Sequence, residues 1–135
     1  MKKIDNDLYV AGQVRPEEMA AIKNAGISMI VNNRPDHEEP GQPSAAGLEA
    51  AARAAGIDYR YVPVASGFSA GQVEAMGEAL DAAQGPVLAF CRSGTRSTFL
   101  WALARSTKGD SPDELMRKAA SAGYDLSPIG AFLQR

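Results

Sequence analysis

The sequence predicts an α/β protein: a three-layer fold with a mainly parallel sheet of four to five strands and helices on both faces. Two observations carry this. Short β-rich runs alternate with helix-favouring segments along the whole chain, and such alternation implies parallel strands joined by helical crossovers. The run 86–90, PVLAF, is apolar at nearly every position, as a strand covered on both faces requires. A chain of 135 residues has room for one core of ordinary size, so residues 1–135 are expected to form a single domain.

Each element has a local reason. DLYVAG (7–12) reads as the first strand. In RPEEMAAIKNAG, Pro16 suits the first helical position and Gly26 the C-terminal cap. ISMIVNN (27–33) reads as the next strand, and the polar, proline-rich RPDHEEPGQPS after it as a loop. SAAGLEAAARAAG (44–56) is alanine-rich and helical. IDYRYVPV (57–64) alternates polar and apolar residues as a strand does. Ser69 and Gln72 have capping-box spacing ahead of VEAMGEALDAAQG. RSTFLWALARSTKG, following Cys91, is helical, with Phe99, Trp101 and Leu103 expected in the core. SPDELMRKAASAG opens with Ser, Pro and a Glu at the capping spacing, and SPIGAFLQR (127–135) is expected to form a last short helix.

Apolar residues make up 45% of the chain and charged residues 22%, with a formal net charge of -2, an ordinary profile for a soluble domain. The first ten residues carry two lysines without the apolar run of a secretory signal, and no stretch approaches the roughly 18 apolar residues of a membrane span. A single cysteine excludes an internal disulfide, and a single histidine, His37, leaves no second imidazole to share a metal. The expectation is a cytoplasmic protein without cofactor or metal and without nucleic-acid or membrane partners.

Cys91 stands where strand passes into helix, the edge at which parallel sheets bind ligands. Gly94 and the small hydroxyl residues Ser93 and Thr95 allow the backbone to curl tightly, so that amide N–H groups converge in front of the sulfur. The helix N-terminus and neighbouring arginines favour the thiolate form. Arg96 is expected to clamp an oxyanion with its planar fork, Ser97 to donate a hydrogen bond to the sulfur, and Arg92 to sit on the rim. The ordinary role of a free cysteine is that of a small buried hydrophobe. Against it stand two arginines, a glycine and three small hydroxyl residues within six positions of Cys91. Arg34, just beyond a strand end, is expected to contact substrate. Asp36 is the candidate acid on the proline-rich loop, with His37, Glu38 and Glu39 beside it; such a cluster is otherwise a solvated loop. The positive field is local to this site, which implies a small anionic substrate.

FCRSGTRS resembles the Cys-to-Arg loop of tyrosine and dual-specificity phosphatases. More closely, GQ at 12–13, VNNRPD at 31–36 and PVLAFCRSGTRSTFLWAL at 86–103 resemble the beta-lactamase hydrolase-like protein family. In that family a phosphatase-like domain occurs alone or fused to a metallo-beta-lactamase-type persulfide dioxygenase. The resemblance implies a tyrosine/dual-specificity phosphatase-like fold, Cys91 as nucleophile, residues 92–97 as oxyanion cradle and Arg96 as clamp. Three departures from the phosphatase pattern stand out. Four residues rather than five separate Cys91 from Arg96; Phe90 occupies a position where phosphatases commonly place histidine; and after YVPV no carboxylate appears until Glu74.

These departures divide the chemistry. An alkyl phosphate needs a proton for its leaving group, and a positioned acid is worth roughly 10² to 10⁴ in rate. A shorter cradle also surrounds the three equatorial phosphoryl oxygens less completely. Attack of a thiolate on the outer sulfur of thiosulfate or a persulfide expels sulfite or a thiolate and needs little protonation. Rhodanese-type sulfurtransferases resemble this chain in the length of the loop. On these grounds sulfur transfer through a Cys91 persulfide is preferred, with glutathione or a similar thiol as acceptor and a persulfide dioxygenase as partner. Phosphatase chemistry through a Cys91 phosphocysteine is the alternative, and a non-catalytic anion-binding module a third reading.

Overall fold

Along β5 (Val87–Phe90) the side chains alternate between two cores: Val87 and Ala89 join one hydrophobic cluster, Leu88 and Phe90 the other, and all four are buried. Period-two alternation with both faces apolar is what a central parallel strand demands. The computed structural model describes residues 1–133. Its sheet has five strands in the order β1-β2-β5-β3-β4. The strands β2 (Leu8–Ala11), β5, β3 (Met29–Asn32) and β4 (Asp58–Tyr61) run parallel, and only β1 (Lys2–Asp5) is antiparallel, paired with β2 as a hairpin. The strand β1 lies outside the sequence expectation. Of its residues only Ile4 is buried, so it has almost no hydrophobic pattern of its own and is held by pairing with β2.

On one face pack α1 (Met19–Asn24) and α2 (Ala45–Ala54), with Ile22, Leu48 and Ala52 against Ile30, Leu88 and Phe90. On the other pack α3 (Ala70–Ala82), α4 (Thr95–Thr107) and α5 (Pro112–Ser121), with Met76, Leu100, Trp101, Leu103 and Leu115 against Val10, Val31 and Ala89. The expected core on α4 is seen in Trp101 and Leu103, and the half-buried Phe99 meets Phe68 edge-on at 6.1 Å between ring centroids. The helix expected from Pro16 opens instead as a 3₁₀ turn, Pro16–Glu18, before α1 begins. The capping box of Ser69 and Gln72 forms at α3, and Ser111 caps α5 by accepting from the Glu114 amide. The last element is a 3₁₀ segment, Ser127–Phe132; Gln134 and Arg135 lie outside the described residues. Among the described residues no helix is long and apolar enough to cross a membrane.

This order places β5 between β2 and β3. The three carboxyl ends therefore meet at one edge, where Cys91, the Gly12–Gln13 turn and the Asn33–Arg34 turn come together.

Candidate active site

Cys91 follows the last residue of β5 and is 1% exposed, at the floor of a loop that ends at the N-terminus of α4. Its own N–H donates to the Ala11 carbonyl at 3.4 Å, which ties it to β2. The Gly94 N–H donates to its sulfur at 3.1 Å. That bond requires the chain to turn back on itself within three residues. Gly94 does so at φ +92, a left-handed conformation in which a side chain would be strained and would also strike the Tyr124 hydroxyl. Gly12 is needed for a different reason: a Cβ there would stand 2.9 Å from the Arg92 carbonyl, so its hydrogen lets β2 approach the loop.

With Gly94 as its N-cap, α4 has no capping side chain. The first N–H groups of a helix have no partner within it, so the Thr95, Arg96 and Ser97 amides provide donors at the positive end of the helix dipole.

Arg96 carries five N–H donors. Nη1 donates to Glu38 Oε2 and to the Val64 carbonyl, each at 2.6 Å, and Nη2 donates to Glu38 Oε1 at 2.9 Å. The two N–H groups left, on Nε and Nη2, lie along one flat edge of the guanidinium, the geometry that receives two oxygens of an anion side by side. Bonding to Glu38 dominates in raising the Arg96 pKa against the opposing effect of burial, and the charge of Cys91 and a hydrogen bond to it contribute in the raising direction. Cys91 and the fork are therefore electrostatic neighbours.

Glu38 is in turn gripped from behind. Its Oε1 accepts from Arg34 Nε at 2.9 Å, and its pKa is lowered to about 2, first by the Arg96 hydrogen bond and then by Arg34 against the opposing effect of burial. Arg34 is 1% exposed. Its remaining nitrogens donate to Gln13 Oε1 and Glu39 Oε1, each at 2.8 Å. Burial alone would drive this guanidinium toward neutrality; its bonds to Glu39 and Glu38 outweigh that and raise its pKa. Arg92 is exposed on the rim, where its charge adds to that of Arg34 in keeping Glu39 ionised.

Three expectations from sequence are corrected here. Arg34 is no substrate contact: its guanidinium is sealed among Gln13, Glu38 and Glu39 and reaches the site only through Glu38 and Arg96. Ser97 does not donate to the sulfur; its hydroxyl donates to Asn33 Oδ1 at 2.8 Å, because α4 turns that side chain into the buried contact with the β3 end. Asp36 is not poised as an acid over Cys91. Its Oδ1 accepts from the Ala45 N–H at 2.8 Å and so completes the N-terminus of α2, while Ser44 caps the Gly47 amide. Ser93 and Thr95 face one another across the exposed rim, their hydroxyl oxygens 3.1 Å apart.

Several residues of the site escaped sequence reasoning about roles. Asn33 is fully buried and joins three segments: it donates from its backbone to Phe90, donates from its side chain to Val62, and accepts from Ser97. Gln13 orients Arg34, Val64 holds Arg96 through its carbonyl, and Tyr124 donates its hydroxyl to the Ser93 carbonyl at 3.0 Å. Asn33 and Gln13 stand within stretches that carried the family resemblance, which was the one available signal. A backbone carbonyl and a lone tyrosine offer none.

Residues 1–108 match the family model described as beta-lactamase hydrolase-like protein, phosphatase-like domain. The chain belongs to this family. A beta-lactamase hydrolase-like protein of Xylella fastidiosa is 35% identical over 134 residues, covering 98% of this chain and 31% of that protein. This chain thus spans about a third of the length of the curated relatives it matches. Among solved structures, a candidate phosphatase from Neisseria meningitidis is 34% identical, covers 98% of this chain and 94% of its own, and superposes with a TM-score of 0.84. Tk-PTP, solved in its active form, is 17% identical with a TM-score of 0.73 over 98% of this chain and 91% of its own, a likeness of fold. The phosphatase-like α/β fold is therefore shown.

Proposed function

We propose that this domain is a cysteine-based phosphatase acting on small phosphate monoesters with good leaving groups, aryl esters above all. The observation that carries it is the Arg96 fork. Glu38 and Val64 occupy three of its donors and leave one edge of two N–H groups beside a cysteine that already accepts an amide hydrogen bond. Two equatorial phosphoryl oxygens fit that edge, and the α4 amides supply donors for the third.

In the first step the Cys91 thiolate attacks phosphorus in line. The S–P bond forms as the ester P–O bond breaks, and the leaving oxygen departs with its electron pair and takes a proton from water. In the second, water attacks the phosphocysteine, the S–P bond breaks, and inorganic phosphate and the thiolate are regenerated with one proton released. Asp36, Glu38 and Glu39 are each engaged by other groups, so the leaving group must be stable without a positioned carboxylic acid.

That engagement also favours a second reading, sulfur transfer from thiosulfate or a persulfide to a thiol such as glutathione, with a persulfide dioxygenase as partner. It needs no acid and suits the short loop. Family and structural likeness weigh toward the phosphatase, which reverses the preference drawn from sequence chemistry. One experiment separates the two: phosphate release from an aryl phosphate and sulfur transfer from thiosulfate, measured on wild type and Cys91→Ser. Aryl phosphate hydrolysis that falls by at least about 10³ in the variant, with a phosphocysteine adduct trapped by rapid acid quench, supports the phosphatase. Sulfur transfer that depends on Cys91 while phosphate release does not replaces it with the second reading.

A further inference from the structure

We infer that Tyr124, which lies beyond the residues matched by the family model, is a positioning residue that aims the amide donor at the Cys91 sulfur. One peptide unit links the two residues. The planar Ser93–Gly94 peptide has its C=O and N–H pointing in opposite directions. Its outer end, the Ser93 carbonyl, accepts from the Tyr124 hydroxyl at 3.0 Å. Its inner end, the Gly94 N–H, donates to Cys91 Sγ at 3.1 Å. Holding the oxygen outward therefore holds the N–H inward, and a bond at one end of a peptide strengthens the bond at the other.

Gly94 makes this necessary. A glycine at φ +92 has no side chain to resist rotation of the preceding peptide, so the loop needs an external constraint. Tyr124 provides it by position as well: its hydroxyl fills the space a Gly94 side chain would take. Tyr124 is itself anchored. Its N–H donates to the Ala119 carbonyl at 2.9 Å, and the Lys2 ammonium stands 5.3 Å from its ring centroid. Burial, and then the charge on Cys91, raise the phenol pKa, which keeps it a donor.

Among the described residues, the titratable groups on which the Cys91 charge acts are Arg96 from α4 and Tyr124 from the segment after α5. Glu38 acts one bond further away, through Arg96, and Lys2 acts through the tyrosine ring. From β2 the Ala11 carbonyl accepts the Cys91 N–H, and beyond β3 the neutral Asn33 accepts from Ser97.

This inference rests on Cys91 reacting as a thiolate, so its test reads the sulfur directly. The rate of Cys91 alkylation by iodoacetamide is followed by mass spectrometry across pH for wild type and Tyr124→Phe. Loss of the hydroxyl is expected to slow alkylation about tenfold at neutral pH and to displace the pH profile upward, the size of one hydrogen bond's effect. Aryl phosphate turnover should fall in parallel, with a melting curve close to that of wild type. Superimposable alkylation profiles for the two folded proteins overturn the inference, whatever the turnover. Should Tyr124→Phe not fold, 3,5-difluorotyrosine at position 124 serves instead: alkylation must drop as its more acidic phenol ionises and ceases to donate, and an unchanged rate overturns the inference. Failure of the proposed reaction shows separately, as turnover that survives Cys91→Ser.

Discussion

Two loops meet at Arg96, and they are built in opposite ways. The loop from Cys91 to Arg96 works through its backbone: the Gly94 N–H bonds the sulfur, the Ser93 carbonyl is pinned from outside, and the helix amides follow. The loop after β3 works through its side chains: Arg34, Glu38 and Glu39 form a chain of ion pairs that ends on the Arg96 fork, while Asp36 caps α2. A backbone cradle needs only small residues in the right order, whereas a side-chain relay needs partners delivered from elsewhere in the fold. In the proposed reaction the first loop would receive the anion, while the second holds the Arg96 guanidinium through Glu38.

That division can be broken at graded points. Arg96→Lys, after removal of the nucleophile itself, should be the most damaging change. An ammonium cannot bridge Glu38 and Val64 and still offer a flat pair of donors, so kcat/KM on an aryl phosphate should fall by about 10² to 10³, as when an oxyanion donor is lost. A fall of less than threefold would show that the fork is not the clamp.

Glu38→Gln should act more mildly, by about tenfold in kcat/KM, because the fork keeps the Val64 carbonyl but loses its charged brace. The same variant has a thermodynamic signature. With its pKa lowered to about 2, the folded-state carboxylate binds protons less readily than the unfolded one. Its stabilisation is therefore fully present above the ordinary carboxylate range and is lost as the pH falls toward about 2. The melting-temperature gap between wild type and Glu38→Gln should accordingly narrow on acidification, and a constant gap would contradict the ion-pair account.

The smallest effect on chemistry belongs to Asp36→Ala. Removing the acceptor for the Ala45 amide should cost about 1 kcal/mol in urea unfolding, the usual size of a lost helix-terminal cap, and leave turnover within about twofold. A large loss of turnover with unchanged stability would restore Asp36 as an acid.

How much of this was readable in advance follows the same line between backbone and relay. The Cys91 loop announced itself because strand, cysteine, glycine and arginine are consecutive, and each acts on its immediate neighbours. The β5 run was legible because burial on both faces leaves nowhere for polar residues. Ser97 and Asp36 were misplaced because a hydroxyl or carboxylate takes whichever donor or acceptor the fold brings within 3 Å, and here those came from Asn33 and Ala45. The edge strand β1 went unseen because pairing, not its own pattern, creates it.

The sequence by itself determined the layers, the position of Cys91 at the carboxyl edge of the sheet and the tight turn at Gly94, since all three depend on local periodicity and local conformational freedom. Only the tertiary structure decided that Glu38 and Val64 engage the Arg96 guanidinium, that Arg34 is a buried brace, and that the Tyr124 hydroxyl bonds the Ser93 carbonyl. Those depend on partners 58, 4 and 31 positions apart. Spacing along the chain carries no information about which of them meet until the sheet order brings the ends of β2, β5 and β3 together.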